Sequence, residues 1–254
     1  MFYGEKTLLD IHRRYLTDEP FLVGGVPRDI FLGRDKDFKD FDITTNSSDA
    51  LRLGILFAGE IKKNFLMFKE GNLKVLLDDN SIDFSSNFVS ERVIDYVRKE
   101  LSINDEKMFE AYSRDFTINT MQKSLESEEV IDVIGTAKDD LNSKIIKTVV
   151  PAQITLADDP RRCIRAINFS ARYGFDIDND IVKFVSDNKE ELFSGSSNIK
   201  DAFVISKISE SIYHDADRTF YYIDKMKILE YIPLEGDFRD EVIRRKLVLK
   251  YLDG

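Results

Sequence analysis

Hydrophobic positions in the first half of the chain come in short runs and alternations; in the second half they recur at helical spacing. Leu8, Ile11, Tyr15 and Leu16 predict an N-terminal helix over residues 5–16, packed on a sheet. Phe21, Leu22 and Val23 form a brief apolar run, the mark of a buried strand. A Gly24-Gly25 turn follows, then a short helix with Pro27 in its first turn and Gly33 at its end. In Lys39-Asp40-Phe41-Asp42-Ile43, polar and apolar positions alternate as in a strand. Ser47 or Ser48 caps a helix carrying Leu51, Leu53, Ile55, Leu56 and Phe57, which Gly59 ends. Residues 64–68, 73–77 and 82–84 read as strands, separated by Gly71 and by Asp78-Asp79-Asn80. Residues 85–112 are less regular and hold a helix with Val93, Tyr96 and Val97 on one face. A helix over 113–121, with Phe116, Ile118 and Met121 partly in the core, comes next. A strand at 130–135, a short helix at 137–141 and a β-branched run from Ile145 to Val150, closed by Pro151, complete this half.

Asp159-Pro160 then reads as a helix start, with an acid at the cap and a proline at the first helical position. Ile164, Ile167 and Ala171 form an apolar stripe, and Gly174 stops the helix. Apolar stripes through residues 179–234 predict further helices, whose simplest explanation is a helical core. A basic helix, Arg239 to Leu252 with Arg244, Arg245, Lys246 and Lys250, is expected at the end. The pattern is α+β in the first part and all-helical in the second.

Composition changes this picture little. The 254 residues are 43% hydrophobic and 33% charged, as in ordinary soluble proteins. No apolar run is long enough to span a membrane. The N-terminal residues lack the charged and apolar regions of a signal peptide, and the single cysteine, Cys163, fits a reducing compartment, so a cytoplasmic location is expected. One cysteine and two histidines argue against zinc. The net charge of −10 counts against a protein that coats nucleic acid, though it leaves room for a local basic groove.

Three groups of residues carry candidate chemistry. Gly24 and Gly25 let the backbone approach a ligand, and the free N–H groups of the helix after them form an anion cradle. Asp40 and Asp42, two apart on a strand, direct both carboxylates to one face, which suits magnesium shared with substrate phosphates. Taken singly, a glycine pair is usually only a turn and Asp-x-Asp only a solvated edge. Asp83 lies between Ile82 and Phe84 and so points away from the core, as an exposed strand residue does; Asp78 and Asp79 read as turn residues. On the expected helix at 113–121, Arg114 would face phosphate, while Asp115 and Asn119, four apart, could bracket a ribose or form part of an ordinary amphipathic surface. Asp159 either caps its helix or, with Arg162 three residues on, offers an acceptor and a donor fork able to read the edge of a base.

Gly24-Gly25-Val26-Pro27-Arg28-Asp29-Ile30-Phe31-Leu32-Gly33 followed by Asp40-Phe41-Asp42 resembles the signature of the class II tRNA nucleotidyltransferases, the family of CCA-adding enzymes and bacterial-type poly(A) polymerases. Ser113-Arg114-Asp115-Phe116-Thr117-Ile118-Asn119-Thr120-Met121 resembles its next motif, with serine at the first arginine position. Asp158, Asp159 and Arg162 resemble its nucleotide-selecting motif, with aspartate for the usual first glutamate; Arg165 matches a further arginine, and Lys147 stands where arginine is usual. The resemblance covers roughly residues 15–234. It implies a polymerase-beta-like nucleotidyltransferase head with a mixed sheet and flanking helices over residues 1–150, and a helical neck over 151–234. A reduced body or tail over 235–254 would make the chain a minimal version, a truncation or a specialised relative. The resemblance further implies that Gly24, Gly25 and Arg28 contact the triphosphate and that Asp40 and Asp42 hold two magnesium ions, with Asp83 as a third catalytic carboxylate. Arg114, Asp115 and Asn119 would then contact the nucleotide, and Asp158, Asp159, Arg162 and Arg165 would select the base. CMP and AMP addition from CTP and ATP to a tRNA 3′ end is the implied activity. Poly(A) addition, CC-only or A-only addition, and a non-catalytic RNA- or nucleotide-binding role are the alternatives. A homodimer or a partner protein would replace the missing RNA-holding surface.

Overall fold

The computed structural model of the protein describes residues 4–34, 38, 40–68, 72–78, 80–85, 90–193 and 199–233. Lys39, Gly71, Asp79 and the basic helix expected over Arg239 to Leu252 lie outside the described residues. The chain divides into two compact units, residues 1–143 and 144–254.

In the first unit, α1 (Glu5–Tyr15) precedes β1 (Phe21–Val23), α2 (Gly25–Phe31), β2 (Asp40–Thr44) and α3 (Asp49–Glu60). There follow β3 (Phe65–Met67), β4 (Asn72–Leu76), β5 (Ser81–Ser85), α4 (Glu91–Lys99), α5 (Phe109–Ser113), β6 (Met121–Ser124), β7 (Val130–Asp132) and α6 (Ala137–Asn142). The seven strands form one mixed sheet in the order β3-β4-β5-β2-β1-β6-β7. Only the central β2–β5 pair is parallel; every other pair is antiparallel. Period-two alternation dictates which side chains enter the core. Phe41 and Ile43 of β2, Leu73 and Val75 of β4, and Ile82 and Phe84 of β5 are buried, together with Leu8 and Ile11 of α1 and Leu53 and Phe57 of α3. The residues between them on those strands, including Asp40, Asp42, Lys74 and Asp83, are thereby directed to the opposite face.

Sequence and structure differ at several places here. Leu16 is 85% exposed and adopts the left-handed conformation after α1, and Tyr15 is also exposed, so the apolar face of that helix ends at Ile11. The Ser47 hydroxyl, not that of Ser48, accepts from the Asp49 N–H at the start of α3, which continues past Gly59 to Glu60. The helix expected over 113–121 is absent. The backbone is extended at Arg114 and Phe116, makes one 3₁₀ turn over Thr117–Asn119 and enters β6 at Met121. Side chains compete with helical bonding there: Asp115 accepts from the Phe116 N–H, Thr117 binds the Asp140 carboxylate, and the Thr120 hydroxyl donates to the Thr117 carbonyl.

The second unit opens with β8 (Ile145–Ile146), α7 (Ala152–Asp158), α8 (Arg161–Tyr173) and β9 (Asp176–Ile177). It continues with α9 (Asn179–Leu192), α10 (Asp201–His214) and α11 (Ala216–Lys225). The β-branched run 145–150 shortens to the two residues of β8, which pair in parallel with β9. Helix α7, unforeseen in the sequence, begins directly after Pro151. Pro160, not Asp159, occupies the cap position of α8, while the Asp159 carboxylate still accepts from the Arg161 N–H. Gly174 ends α8 at φ +70°, a conformation that suits glycine. Ile164, Ile167 and Ala171 are buried, as the stripe predicts. Among the described residues, no helix is long and apolar enough to cross a membrane.

Candidate active site

The bend after β1 fixes the first part of the site. Gly24 has φ +72° and ψ −122°, a backbone that side chains exclude, and it turns the chain from β1 into α2. Val23 pairs with Asp42 across the sheet, so the bend lies beside that carboxylate. A Cβ placed on Gly24 would stand 3.0 Å from Asp42 Oδ2 and 3.4 Å from Arg114 Nη1; one on Gly25 would stand 3.2 Å from Arg28 Nη2. Glycine pair, acid and both arginines therefore converge.

Asp40 and Asp42 project from the same face of β2. Asp40 is exposed and accepts a 3.1 Å hydrogen bond from the Ser81 hydroxyl. Asp42 lies directly beside Asp83 in the parallel β2–β5 pair. Burial is the main cause that pushes the Asp42 carboxyl above the usual aspartate range; Asp83 and Glu110 push it the same way, and Arg114 and Lys74 oppose them. Asp83 faces this cluster, and Lys74 Nζ holds its Oδ2 at 2.9 Å.

Arg114 is anchored by Glu110, one helical turn earlier on α5. Its burial alone would weaken the charge, but Glu110 and Asp42 outweigh that and hold the guanidinium firmly protonated. Gln122 Nε2 donates to the other Glu110 oxygen at 3.4 Å and to Asn46 Oδ1 at 2.9 Å. Arg28 is buried; its Nε donates to Asp29 at 2.9 Å and its Nη1 to Asn119 Oδ1 at 2.5 Å. Asn119 Nδ2 donates in turn to Asp115 Oδ1 at 2.8 Å. Asp115 and Asn119 thus face each other, though not along one helix: Asp115 precedes the 3₁₀ turn that Asn119 ends, and their side chains form one buried chain with Arg28. The sequence reading missed Lys74 and Glu110. Lys74 could have been found from strand register opposite Asp83, and Glu110 from its i, i+4 spacing to Arg114.

The base-reading candidates lie in the second unit. Asp158 ends α7 and is exposed. Asp159 is gripped by Arg161, with Nε to Oδ1 at 2.8 Å and Nη2 to Oδ2 at 2.9 Å. Burial works against the Asp159 charge, yet these bonds outweigh it and hold the carboxyl below its ordinary range. The fork on Asp159 belongs to Arg161, while Arg162, whose charge also favours the Asp159 carboxylate, donates from Nη1 to the Thr155 carbonyl at 3.3 Å. Helix α8 begins one residue later than expected, so Asp159 precedes it, in reach of Arg161. Arg165 lies over the Phe169 ring at 5.4 Å.

The family model for the poly A polymerase head domain matches residues 20–147, half of the chain. A CC-adding tRNA nucleotidyltransferase of Shouchella clausii is 29% identical over 179 residues, covering 68% of this chain and 40% of its own length. A CCA-adding enzyme of Bacillus pumilus is 28% identical over 222 residues, covering 86% of this chain and 52% of its own. The chain thus spans about half or less of these curated relatives. A solved tRNA nucleotidyltransferase complexed with a primer tRNA and an incoming ATP analog superposes with a TM-score of 0.67 at 24% identity, over 90% of this chain and 63% of that one. This likeness establishes the shared fold: a mixed sheet with flanking helices, followed by a helical part.

Proposed function

The chain belongs to the poly A polymerase head domain family, and on that footing we propose that it is a template-independent nucleotidyltransferase adding CMP and AMP from CTP and ATP to the 3′ end of tRNA. One observation carries this reading: Asp42, on the same face of β2 as Asp40, sits against the Gly24 bend with Arg114 beside it. The Bacillus pumilus and Shouchella clausii relatives, named as CCA-adding and CC-adding enzymes, support the substrate class.

Among the described residues, no three His, Cys, Asp or Glu side chains form a ready-made metal cage. The donor set still fits magnesium, which is commonly held by one or two carboxylates together with substrate phosphates. Asp40 and Asp42 would hold it, and two such ions would lower the pKa of the attacking hydroxyl and offset charge on the leaving pyrophosphate. The remaining work falls to the protein. The bend lets the triphosphate approach the backbone closely, and the N–H groups at the start of α2 face its oxygens. Arg114, held by Glu110, supplies positive charge beside the reacting phosphate. Arg28, Asn119 and Asp115 keep the bend and the 3₁₀ turn in fixed register and border the ribose. The 3′ oxygen of the RNA attacks the α-phosphorus in line, its P–O bond forms as the bond to the β-phosphate oxygen breaks, and pyrophosphate leaves. Asp159 and Arg162, flanked by Asp158 and Arg165, are assigned to base selection, with Arg161 gating Asp159. Residues 1–150 act as the catalytic head and 151–234 as the nucleotide-selecting neck, with RNA held by residues 235–254, a second copy or a partner protein.

The test is to incubate the chain with magnesium, each NTP in turn and tRNA lacking its CCA end. Incorporation of CTP and then ATP is expected, and none from Asp40→Ala or Asp42→Ala. CTP alone would indicate CC addition, and ATP alone or in long runs A-only addition or a poly(A) polymerase. No incorporation of any nucleotide would overturn the catalytic reading.

A further inference from the structure

Lys74 stands directly opposite Asp83 in the antiparallel β4–β5 pair, and Asp83 stands directly beside Asp42 in the parallel β5–β2 pair. Three neighbouring strands therefore set Lys74, Asp83 and Asp42 in one row across the sheet. Leu73 and Val75, on either side of Lys74, are wholly buried, so the lysine cannot turn to the other face without slipping the strand register. Its ammonium meets Asp83 Oδ2 at 2.9 Å, with both side chains about one third exposed. Among the described residues, the other cation bonded beside these acids is Arg114, which is matched by Glu110. Among the described residues, Lys74 is bonded to Asp83 and Arg114 to Glu110, so Asp40 and Asp42 are the two carboxylates of this face without a bonded cation, and together they match the charge of one divalent ion.

We propose that Lys74 is a positioning residue that neutralises Asp83 and withholds it from metal coordination, so that the face offers a divalent cation two carboxylates instead of three. This rests on the reading that Asp40 and Asp42 hold metal. Asp83 then acts through charge and position, and the ammonium moderates how tightly the empty site takes an ion before the nucleotide brings its own phosphates. A third free carboxylate would tighten metal binding in the absence of substrate.

Binding of Mn²⁺ to the full chain without nucleotide, followed by the electron paramagnetic resonance of free Mn²⁺, tests this independently of turnover. Lys74→Met removes the charge and keeps the length of the side chain; Lys74→Gln does the same should the methionine variant not fold. Removing one charge this close is expected to tighten Mn²⁺ binding on the order of tenfold. Asp83→Asn, which leaves the ammonium unbalanced, is expected to weaken it. The double variant removes a neutral pair and is expected to lie within about twofold of the wild type, since the two effects offset. A double variant as impaired as Asp42→Asn would make Asp83 a ligand and overturn the proposal, as would a Lys74 variant with unchanged affinity. Wild-type binding that survives Asp40→Asn and Asp42→Asn would instead overturn the assignment of the metal to β2, whatever Lys74 does.

Discussion

Gly24 and Asp42 approach so closely that a side chain on the first would collide with the carboxylate of the second: a Cβ would lie 3.0 Å from Oδ2. The Gly24 backbone, at φ +72° and ψ −122°, independently excludes other residues. Gly24→Ala is therefore expected to cost about 1–3 kcal/mol of stability from backbone strain and to displace the catalytic acid. Activity should fall by more than tenfold while secondary structure is retained. Urea unfolding and single-turnover nucleotide incorporation check the two halves, and an alanine variant of normal stability and rate would refute the constraint.

Asp42 pays for its position in stability. Its carboxyl titrates above the ordinary aspartate value of 3.8, chiefly because it is buried. The folded chain therefore holds this proton more tightly than the unfolded one, so its contribution to stability falls as pH rises through the window between the two pKa values. Below that window the burden is absent; above it, it is complete. Asp42→Asn should raise the melting temperature at neutral pH, with a gain that shrinks as pH falls toward 3.8, while activity drops on the order of a thousandfold or more. A neutral-pH melting temperature at or below that of the wild type would contradict this.

Cys163 is buried in α8, and burial pushes its thiol up to about 12. Its Sγ also donates to the Pro160 carbonyl at 2.8 Å. Thiolate is the reactive form, so a disulfide exchange reagent at pH 8 should leave native Cys163 unmodified and label it fully in denaturant. Rapid labelling of the folded chain would show that this helix opens.

Local patterning made most of the fold legible. The alternation of Asp40, Phe41, Asp42 and Ile43 set the acids on one face and the core on the other, and Ile82-Asp83-Phe84 did the same for the third carboxylate. That Asp83 lies beside Asp42 depends on a parallel pairing of strands nearly forty residues apart, which neither segment encodes alone. The same holds for Lys74, a plain alternating residue until β4 is set against β5. Residues 113–121 misled because Phe116, Ile118 and Met121 fit a helical stripe, whereas Asp115, Thr117 and Thr120 bond side chain to backbone and to Asp140. Helix α7 escaped notice because its seven residues are too few to show a period.

The pairing of Asp159 with Arg161 separates two roles that the sequence merges. Arg161 is half exposed, and its two side-chain bonds to Asp159 are those of a surface ion pair, worth about 0–1 kcal/mol. A nucleotide base that needs the Asp159 carboxylate must displace that fork, and the displacement raises the apparent KM by no more than the pair contributes. Arg161→Leu is thus expected to lower the KM for CTP and ATP by up to about fivefold with kcat and base preference kept. Arg162→Ala, which deletes the proposed donor, should narrow the discrimination of CTP and ATP against UTP and GTP by about tenfold or more, the loss of one or two good hydrogen bonds. Measuring kcat and KM for all four nucleotides with both variants decides between them. If Arg161→Leu erases base preference and Arg162→Ala does not, the fork seen on Asp159 is itself the reader, and the gating role assigned to Arg161 falls.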